Sequence, residues 1–462
     1  MKQGFPSEIS RDLLEKYSKP GPRYTSYPTA PVWTDEVTSL TYKSHLENLS
    51  ESSNEASLYC HLPFCPSHCY FCGCNVIITT QRGPISSYID YLMKELSMLA
   101  PYLKNKKIKQ LQWGGGSPSH LSELEVKMLM DHIKDNFTFA QDPEIGIEIN
   151  PEQVSESFIK TLKSVGFNRI SMGIQDFDEK VQQEINRVQA YEDIKKTVDW
   201  VHSHSEVKSL NMDLIYGLPH QTREGFRETL DKVLSLDPDR LAIYHYAHVP
   251  WIKPAQRRFD EATLPSGIEK MEAFLDTVHY LDDKGYEFIG LDHFAKKDDC
   301  LSKAYQDRTM HRNFMGYTTH KGLDLFAAGV TSIGYSNCGF FQNHKKLTTY
   351  QEMIDENLFP VEKGYVLSRE DLIRQDVIMR LMNQEGFIFS NIEKEWDINF
   401  KEKFHQELSE LTPYVEDGFI KLSDDEIRVT PLGRFFIRNV CLPFDEYFKE
   451  QQKQKNLFSK TV

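Results

Sequence analysis

The sequence predicts an α/β protein. It reads as a partial (β/α)6-type barrel with an extended N-terminal arm and a mainly helical, winged-helix-like C-terminal domain. Three observations predict this. Between residues 57 and 250, apolar runs of strand length alternate with segments whose apolar residues recur at helical spacing, the pattern of parallel strands joined by crossovers. Before residue 57 the chain is punctuated by Pro20, Gly21, Pro22, Pro28 and Pro31, which forbid regular helix. From about 367 the alternation gives way to amphipathic helices and one hairpin pattern. The expected divisions are residues 1–56, 57–366 and 367–462, and a β/α barrel takes roughly 250 residues as one domain.

Taken in order, residues 19–31 form an arm whose aromatics need a surface to pack on, either as a structural brace or as a strap across the active site. Residues 57–62 read as a strand that runs directly into a cysteine-rich loop. Residues 86–103 carry Ile89, Tyr91, Leu92, Leu96 and Leu99 on one helical face. A buried strand at 108–113 leads into Gly114-Gly115-Gly116-Ser117-Pro118, where residues without side chains let backbone approach a ligand. Helices are expected at 121–137, 155–165, 191–204 and 223–236, and strands at 145–149, 169–175, 210–216 and 240–248. In such barrels chemistry collects at the C-terminal ends of the strands. The cysteine loop, Gly114–Gly116, Glu148, Asn150, Gln175, Asp213, Tyr246, Ala247 and His248 all fall at or near those ends. A buried strand excludes Glu, Gln and Asp unless they are paired or functional, so together they favour a ligand site.

After residue 250 the pattern loosens. It offers a helix at 268–281, a strand at 288–292, a loop at 311–319 and a small-residue apolar stretch at 325–334 that packs against, or lines, a large flat pocket. Helices follow at 369–382 and 401–411, a hairpin at 418–430 and a further helix at 433–440. The winged-helix pattern invites DNA binding, but its tip, Ser423-Asp424-Asp425-Glu426, is acidic. The domain therefore reads as a lid or docking module. The chain as a whole carries a net charge of −14, which argues against broad nucleic-acid or membrane-surface binding. No apolar run approaches the ~20 residues of a membrane span, and the N-terminus lacks the apolar core of a secretory signal. A cytoplasmic protein with reduced thiols is expected.

Five of the eight cysteines lie within residues 60–74. Cys65, Cys69 and Cys72 are spaced C-x3-C-x2-C, which on a loop turns three thiolates toward one point and suits a metal or an iron–sulfur cluster. On a four-iron cluster, three thiolates leave one iron open to a small molecule. The alternative is structural zinc, with Cys74, Cys60 or His68 as fourth ligand. Zinc sites, however, usually join two close ligand pairs across a spacer, and no second pair follows here. His61 and His68 read as packing or solvated residues.

The C-x3-C-x2-C spacing, with Phe71 before the last thiolate, resembles that of the radical S-adenosylmethionine (SAM) enzymes. The chain from about Lys16 onward is similar to the oxygen-independent coproporphyrinogen III oxidase family, on residues 21–28, 65–74, 113–118, 171–177, 213–219, 311–319 and 433–445. The resemblance implies one [4Fe–4S] cluster on Cys65, Cys69 and Cys72, with Cys74 as the family's extra, catalytic cysteine. It implies two SAM molecules. Tyr59, Gly115, Glu148 and Ile333 would hold the one on the cluster, and Phe71, Gly116, Ser117, Gln175, Arg187, Asp213 and Ala247 the other. Ser117 stands where threonine is usual, and Cys60 where an aliphatic residue is.

The implied chemistry is reductive cleavage of SAM, removal of a propionate hydrogen, and loss of CO2 and one electron to leave a vinyl group. Two rounds turn coproporphyrinogen III into protoporphyrinogen IX. The implied partners are that substrate and a one-electron reductant such as flavodoxin or ferredoxin, acting on a monomer. Four propionates need cations, for which Arg23, Arg257, Arg258 and Arg312 are the candidates. Two rivals are a related haem chaperone and a radical SAM methyltransferase. Chaperones of this kind generally lack the fourth cysteine and the long arm, and both are present here.

Overall fold

The alternation expected between 57 and 250 is what the chain builds. The computed structural model describes residues 4–49, 53–204, 207–336 and 338–451. Strands β1 (Glu55–Leu62), β2 (Lys107–Gly115), β3 (Phe139–Ile149), β4 (Arg169–Gln175), β5 (Ser209–Tyr216) and β6 (Arg240–His245) lie side by side in sequence order. Each is parallel to the next. Helices α1 (Arg82–Leu99), α2 (Glu123–Asn136), α3 (Glu156–Ser164), α4 (Tyr191–His204) and α5 (Arg223–Leu234) make the crossovers. Two start on strong local signals: Ser122 and Glu125 form a capping box at α2, and the Ser155 hydroxyl caps α3.

The period of two along the strands separates two surfaces. Ile145, Ile147, Ile170, Met172, Leu210, Met212 and Leu214 are buried in the apolar core that contains the inner faces of the helices. Their alternates Glu144, Glu148, Arg169, Ser171, Asn211 and Asp213 line a cavity of about 140 Å³ inside the curve of the sheet.

The sheet extends beyond the six units on both sides. Past β6 lie β8 (His293–Lys296) and β7 (Tyr286–Gly290), both antiparallel to their neighbours. Helix α6 (Gly267–Asp283) precedes them. On the other side β9 (Asp324–Ala328) runs parallel to β1, followed by β10 (Ile333–Ser336), β11 (Gly339–Asn343) and β12 (Val361–Val366), giving twelve strands. The small-residue stretch at 325–334 is therefore two strands and the turn between them. Small residues are required where Gly334 passes the backbone of β9, since a Cβ there would lie 2.9 Å from the Leu325 carbonyl oxygen.

Other boundaries also differ from expectation. The expected loop at 311–319 is a hairpin, His311–Asn313 pairing with Gly316–Thr318, and it borders the barrel cavity. Strand β3 starts six residues earlier than its apolar run. Its register with β2 jumps where Asp142 takes a positive φ of 52° next to Pro143, which masked the pattern. The sixth strand ends at His245, leaving Ala247 and His248 in the loop after it. The helix expected at 401–411 breaks at Phe404 into Phe400–Lys403 and His405–Glu410. The segment 433–440 begins as a 3-10 turn, Gly433–Phe436, because Gly433 lies against the Phe419 backbone. The wing gains a third strand, Gly386–Ile388, on the Ile420–Leu422/Glu426–Val429 hairpin.

The arm is extended only in part: Arg11–Tyr17 and Ser39–Glu47 are helical on either side of the Pro-rich stretch. Tyr24 and Tyr27 are fully buried in one core with Val377, Phe436 and Phe444 of the C-terminal region. Thr34 pairs with Gly364 on β12, and Trp33 stacks on Phe340 of β11 at 5.0 Å.

One buried carboxylate ties the crossover layer to the far edge of the sheet. Glu95 on α1 accepts from the Gly329 amide, the Tyr350 hydroxyl and the Asn343 amide, each at 2.7 Å. Glu95→Ala orphans the Gly329 amide and the Tyr350 hydroxyl at about 1.5 kcal/mol or more each, while the Asn343 amide keeps the Gly329 carbonyl and the Ser332 hydroxyl. Urea denaturation of this variant is expected to show a loss of about 3 kcal/mol or more, and an unchanged midpoint would refute the network's structural role.

Candidate active site

The cysteine loop leaves the end of β1 and is held almost entirely by backbone. Phe64–Cys65 pairs in parallel with Ile77–Ile78, and the Gly116 and Ser117 amides donate to the Leu62 and Phe64 carbonyls at 2.8 and 2.9 Å. The Tyr70 amide donates to the Ile185 carbonyl at 3.0 Å, and Asn186 donates to the His68 carbonyl at 2.8 Å. Buried Gln256 reaches both the Phe71 and the Ala247 carbonyls, at 3.5 and 3.2 Å, and so joins this loop to the one after β6. Phe71 packs against the apolar cluster that holds Ile185, Ile215, Tyr246 and Phe259.

So held, Cys65, Cys69 and Cys72 come near enough to act on one another. Burial pushes the Cys65 thiol up, and Cys72 and Cys69 push it further. Burial also raises Cys69, against the pull of Arg187, whose Nη1 lies 3.7 Å from its sulfur. Cys74 is exposed and its side chain hydrogen-bonds to that of Cys72. Among the described residues, no three His, Cys, Asp or Glu side chains close around one point as a single ion would need. The three neighbouring thiols are a soft donor set, the chemistry that suits an iron–sulfur cluster.

The glycine run is also required inside the protein. A Cβ on Gly114 would lie 2.8 Å from Glu148 Oε1, on Gly115 2.5 Å from the His61 ring, and on Gly116 2.6 Å from the Pro63 backbone. Gly115 also has a φ of +114°. The amides of residues 115–117 are used inside the protein, the first on Glu148 at 3.3 Å. The run thus lets β2 close on the cysteine loop and on Glu148. His61, read as mere packing, fills the space Gly115 vacates. It accepts from the Tyr59 hydroxyl at 3.1 Å and donates to the Asn75 carbonyl at 3.4 Å, and burial lowers its pKa to about 4, so it is neutral.

Across the mouth, Glu148 is pushed up to about 7, by burial first and then by the charge of Asp213, against the Gly115 amide. Asp213 is itself raised by burial, although Asn211 and Ser171 donate to it at 2.8 and 3.1 Å. Two buried carboxylates that disfavour each other's ionisation create demand for a cation between strands β3 and β5. Arg187 donates to the Gly173 carbonyl at 2.6 Å and to Asn150 at 3.3 Å. Gln175 sits at a φ of +71° with its amide beside Gly173, where a Cβ would collide with it. The Ser117 hydroxyl is bonded to Ser119 and Gln153 at 3.0 and 3.2 Å. Ile333 begins β10, across β9 from Tyr59 in the strand register, and packs against the cluster of Trp33 and Phe340.

Comparison with known proteins gives two domain matches: the radical SAM superfamily over residues 59–233 and the HemN C-terminal domain over residues 367–436. The oxygen-independent coproporphyrinogen III oxidase of Synechocystis sp. is 41% identical over 99% of both chains. The Escherichia coli protein of that name is 40% identical over 97% of this chain and 98% of its own. The solved structure of E. coli coproporphyrinogen III oxidase superimposes with a TM-score of 0.91, at 39% identity, over 96% of this chain and 100% of that one. The chain belongs to the oxygen-independent coproporphyrinogen III oxidase family.

The arginine candidates for this family's substrate separate into two groups. Arg257 donates to the Pro250 carbonyl at 3.0 Å, and Arg258 to the Tyr70 hydroxyl at 2.8 Å, both near the cysteine loop. Arg23 pairs with Asp292, and buried Arg312 donates to the Arg23 carbonyl at 3.1 Å with its Nε unbonded. Sequence reading placed Asn150 at the mouth but missed its bond from Arg187, and it missed Gln256 as the loop's tie. Nothing local marks either one, since both partners are distant in sequence.

Gly115→Ala is expected to destabilise this oxidase by about 2 kcal/mol or more, from φ strain and the clash with His61. Adding His61→Ala should restore the steric share only. A double-mutant thermal melt in which the two losses simply add would refute the contact.

Proposed function

We propose that this chain carries out oxidative decarboxylation of two propionates of coproporphyrinogen III to vinyls without oxygen. The products are protoporphyrinogen IX, CO2, methionine and 5′-deoxyadenosine. The observation that carries this reading is about 40% identity over nearly the whole length of oxidases so named, with the three-thiol loop at the C-terminal mouth of the parallel strands. Cys65, Cys69 and Cys72 would hold a [4Fe–4S] cluster. The bound cluster and SAM supply one-electron cleavage of a sulfonium and abstraction of hydrogen from the substrate.

The protein's own contribution is placement and charge. Glu148 and Asp213, two carboxylates seeking a cation, suit the ammonium of SAM's methionine end and the sulfonium. Tyr59, Gly115 and Ile333 complete the first SAM site in this reading. Phe71, Gly116, Ser117, Gln175, Arg187, Asp213 and Ala247 form the second, for which the Gln256 tie between the Phe71 and Ala247 loops is the structural support. Cys74 would act beside the cluster rather than ligate it, a reading that its hydrogen bond to Cys72 supports. Arg23 and Arg312 would face propionates. No described helix is long and apolar enough to cross a membrane. A cytoplasmic monomer fed by flavodoxin or ferredoxin completes the reading.

The test is anaerobic turnover of reconstituted, reduced protein with SAM and coproporphyrinogen III. Vinyl products with about two deoxyadenosines per substrate, as two decarboxylations require, are expected; SAM cleavage without vinyl products would overturn the substrate. Cys72→Ala should lose the cluster's visible absorbance, whereas Cys74→Ala should keep it and lose turnover. Loss of absorbance in both would make Cys74 a ligand. SAM affinity should weaken as pH falls through about 7, where Glu148 takes up its proton, and Glu148→Gln should bind weakly with no such pH dependence. An unchanged pH profile in that variant would exclude Glu148.

A further inference from the structure

A second cavity, of about 180 Å³, lies where the arm, the ends of β5 and β6, helix α6 and the C-terminal region meet. Its charged lining is four cations to one carboxylate: Arg23, Lys270, Arg434 and Arg438 against Asp292. This reverses the balance of a chain whose net charge is −14. The single carboxylate is already engaged, by Arg23 and by His293 Nδ1 at 2.6 Å. Arg434 pairs with Glu385 at 2.7 Å, and buried Arg438 donates to the Pro22 and Gly21 carbonyls, the first at 2.8 Å. His245 on the wall adds no counter-charge. Burial, then Lys270, Arg23 and Arg438, press its pKa down to about 3. Arg438 is pulled down to about 9, by burial first and then by Arg23.

Buried like charges are tolerated where an opposite charge joins them, and guanidinium forks match carboxylates in shape as well as in sign. The cavity is below the size of ordinary small-molecule pockets, roughly 300–1,000 Å³, so it suits an acid group or a short acid rather than a macrocycle. It also shares a wall with the barrel cavity. On β5, Tyr216 faces one and Asp213 the other, and Asp292 and His293 divide in the same way.

We infer that this cavity is a carboxylate-binding site, formed by Arg23, Lys270, Arg434 and Arg438 around an incoming acid group. Where the inference rests on the coproporphyrinogen reading, that group is a propionate of the substrate held away from the reacting centre; a free short dicarboxylate offers the same chemistry.

Lys270→Gln and the charge-preserving Lys270→Arg separate these sources in reconstituted holoprotein, with Arg23→Gln as the second variant should Lys270→Gln fail to fold. Binding is read by fluorescence of coproporphyrin III and of its uncharged tetramethyl ester, and by the melting shift with succinate. A propionate site predicts at least tenfold weaker coproporphyrin III binding in Lys270→Gln, recovery in Lys270→Arg, and no change for the ester. A free-acid site predicts a succinate melting shift that Lys270→Gln abolishes while coproporphyrin III binding is unchanged. If the wild type binds no coproporphyrin III but keeps that Lys270-dependent succinate shift, the site stands and the function reading falls. Coproporphyrin III binding within twofold of wild type, with no Lys270-dependent succinate effect, overturns the inference.

Discussion

The site depends on one backbone constraint: β2 must close on the segment that follows β1. The Gly116 and Ser117 amides donate to the Leu62 and Phe64 carbonyls, continuing the β1–β2 pairing beyond the sheet and into the cysteine loop. Everything at the mouth is positioned from that junction. Three glycines are needed because Glu148, the His61 ring and the Pro63 backbone occupy the places their side chains would take. The loop can then present its thiols while Tyr70 and Phe71 pack against the neighbouring core. Its remaining ties, to Ile185, Asn186 and Gln256, come from the βα loops that carry Arg187 and Ala247.

A second division follows from strand periodicity. Alternate residues of β3, β4 and β5 send apolar side chains to the helices and polar ones to the cavity, so core and site are specified by the same strands without competing. Glu148 and Asp213 remain buried and close enough to raise each other's cost of ionisation because the rigid sheet holds them there.

The parts legible in the sequence were those written in local pattern. The six βα units announce themselves through period and length, and the cysteine loop through spacing. The polar strand residues stand out because Glu148 and Asp213 interrupt apolar runs. What could not be read depends on distant partners. The strands at 324–328 and 333–336 look like a featureless small-residue stretch until β1 and β11 flank them. His61 gains its role only from Gly115, and the hairpin at 311–318 only from the barrel cavity it borders. The cationic cavity is assembled from positions 23, 270, 434 and 438, and no window of sequence contains it.

The arm's attachments bear on how the molecule comes into being. Tyr24 donates to Asp445 across 421 residues of chain at 3.0 Å, and Arg438 grips the Pro22 carbonyl across 416. Synthesis proceeds from the N-terminus, and domains fold as they emerge. The barrel's strands can pair early, since each meets a neighbour one unit away. The arm precedes residues 438 and 445 in synthesis and must wait with its tyrosines uncovered until they emerge. Emergence of residues 434–445 is thus registered structurally: a product that stops before them lacks the clasp over the arm and lacks Arg434 and Arg438 in the cavity beneath it.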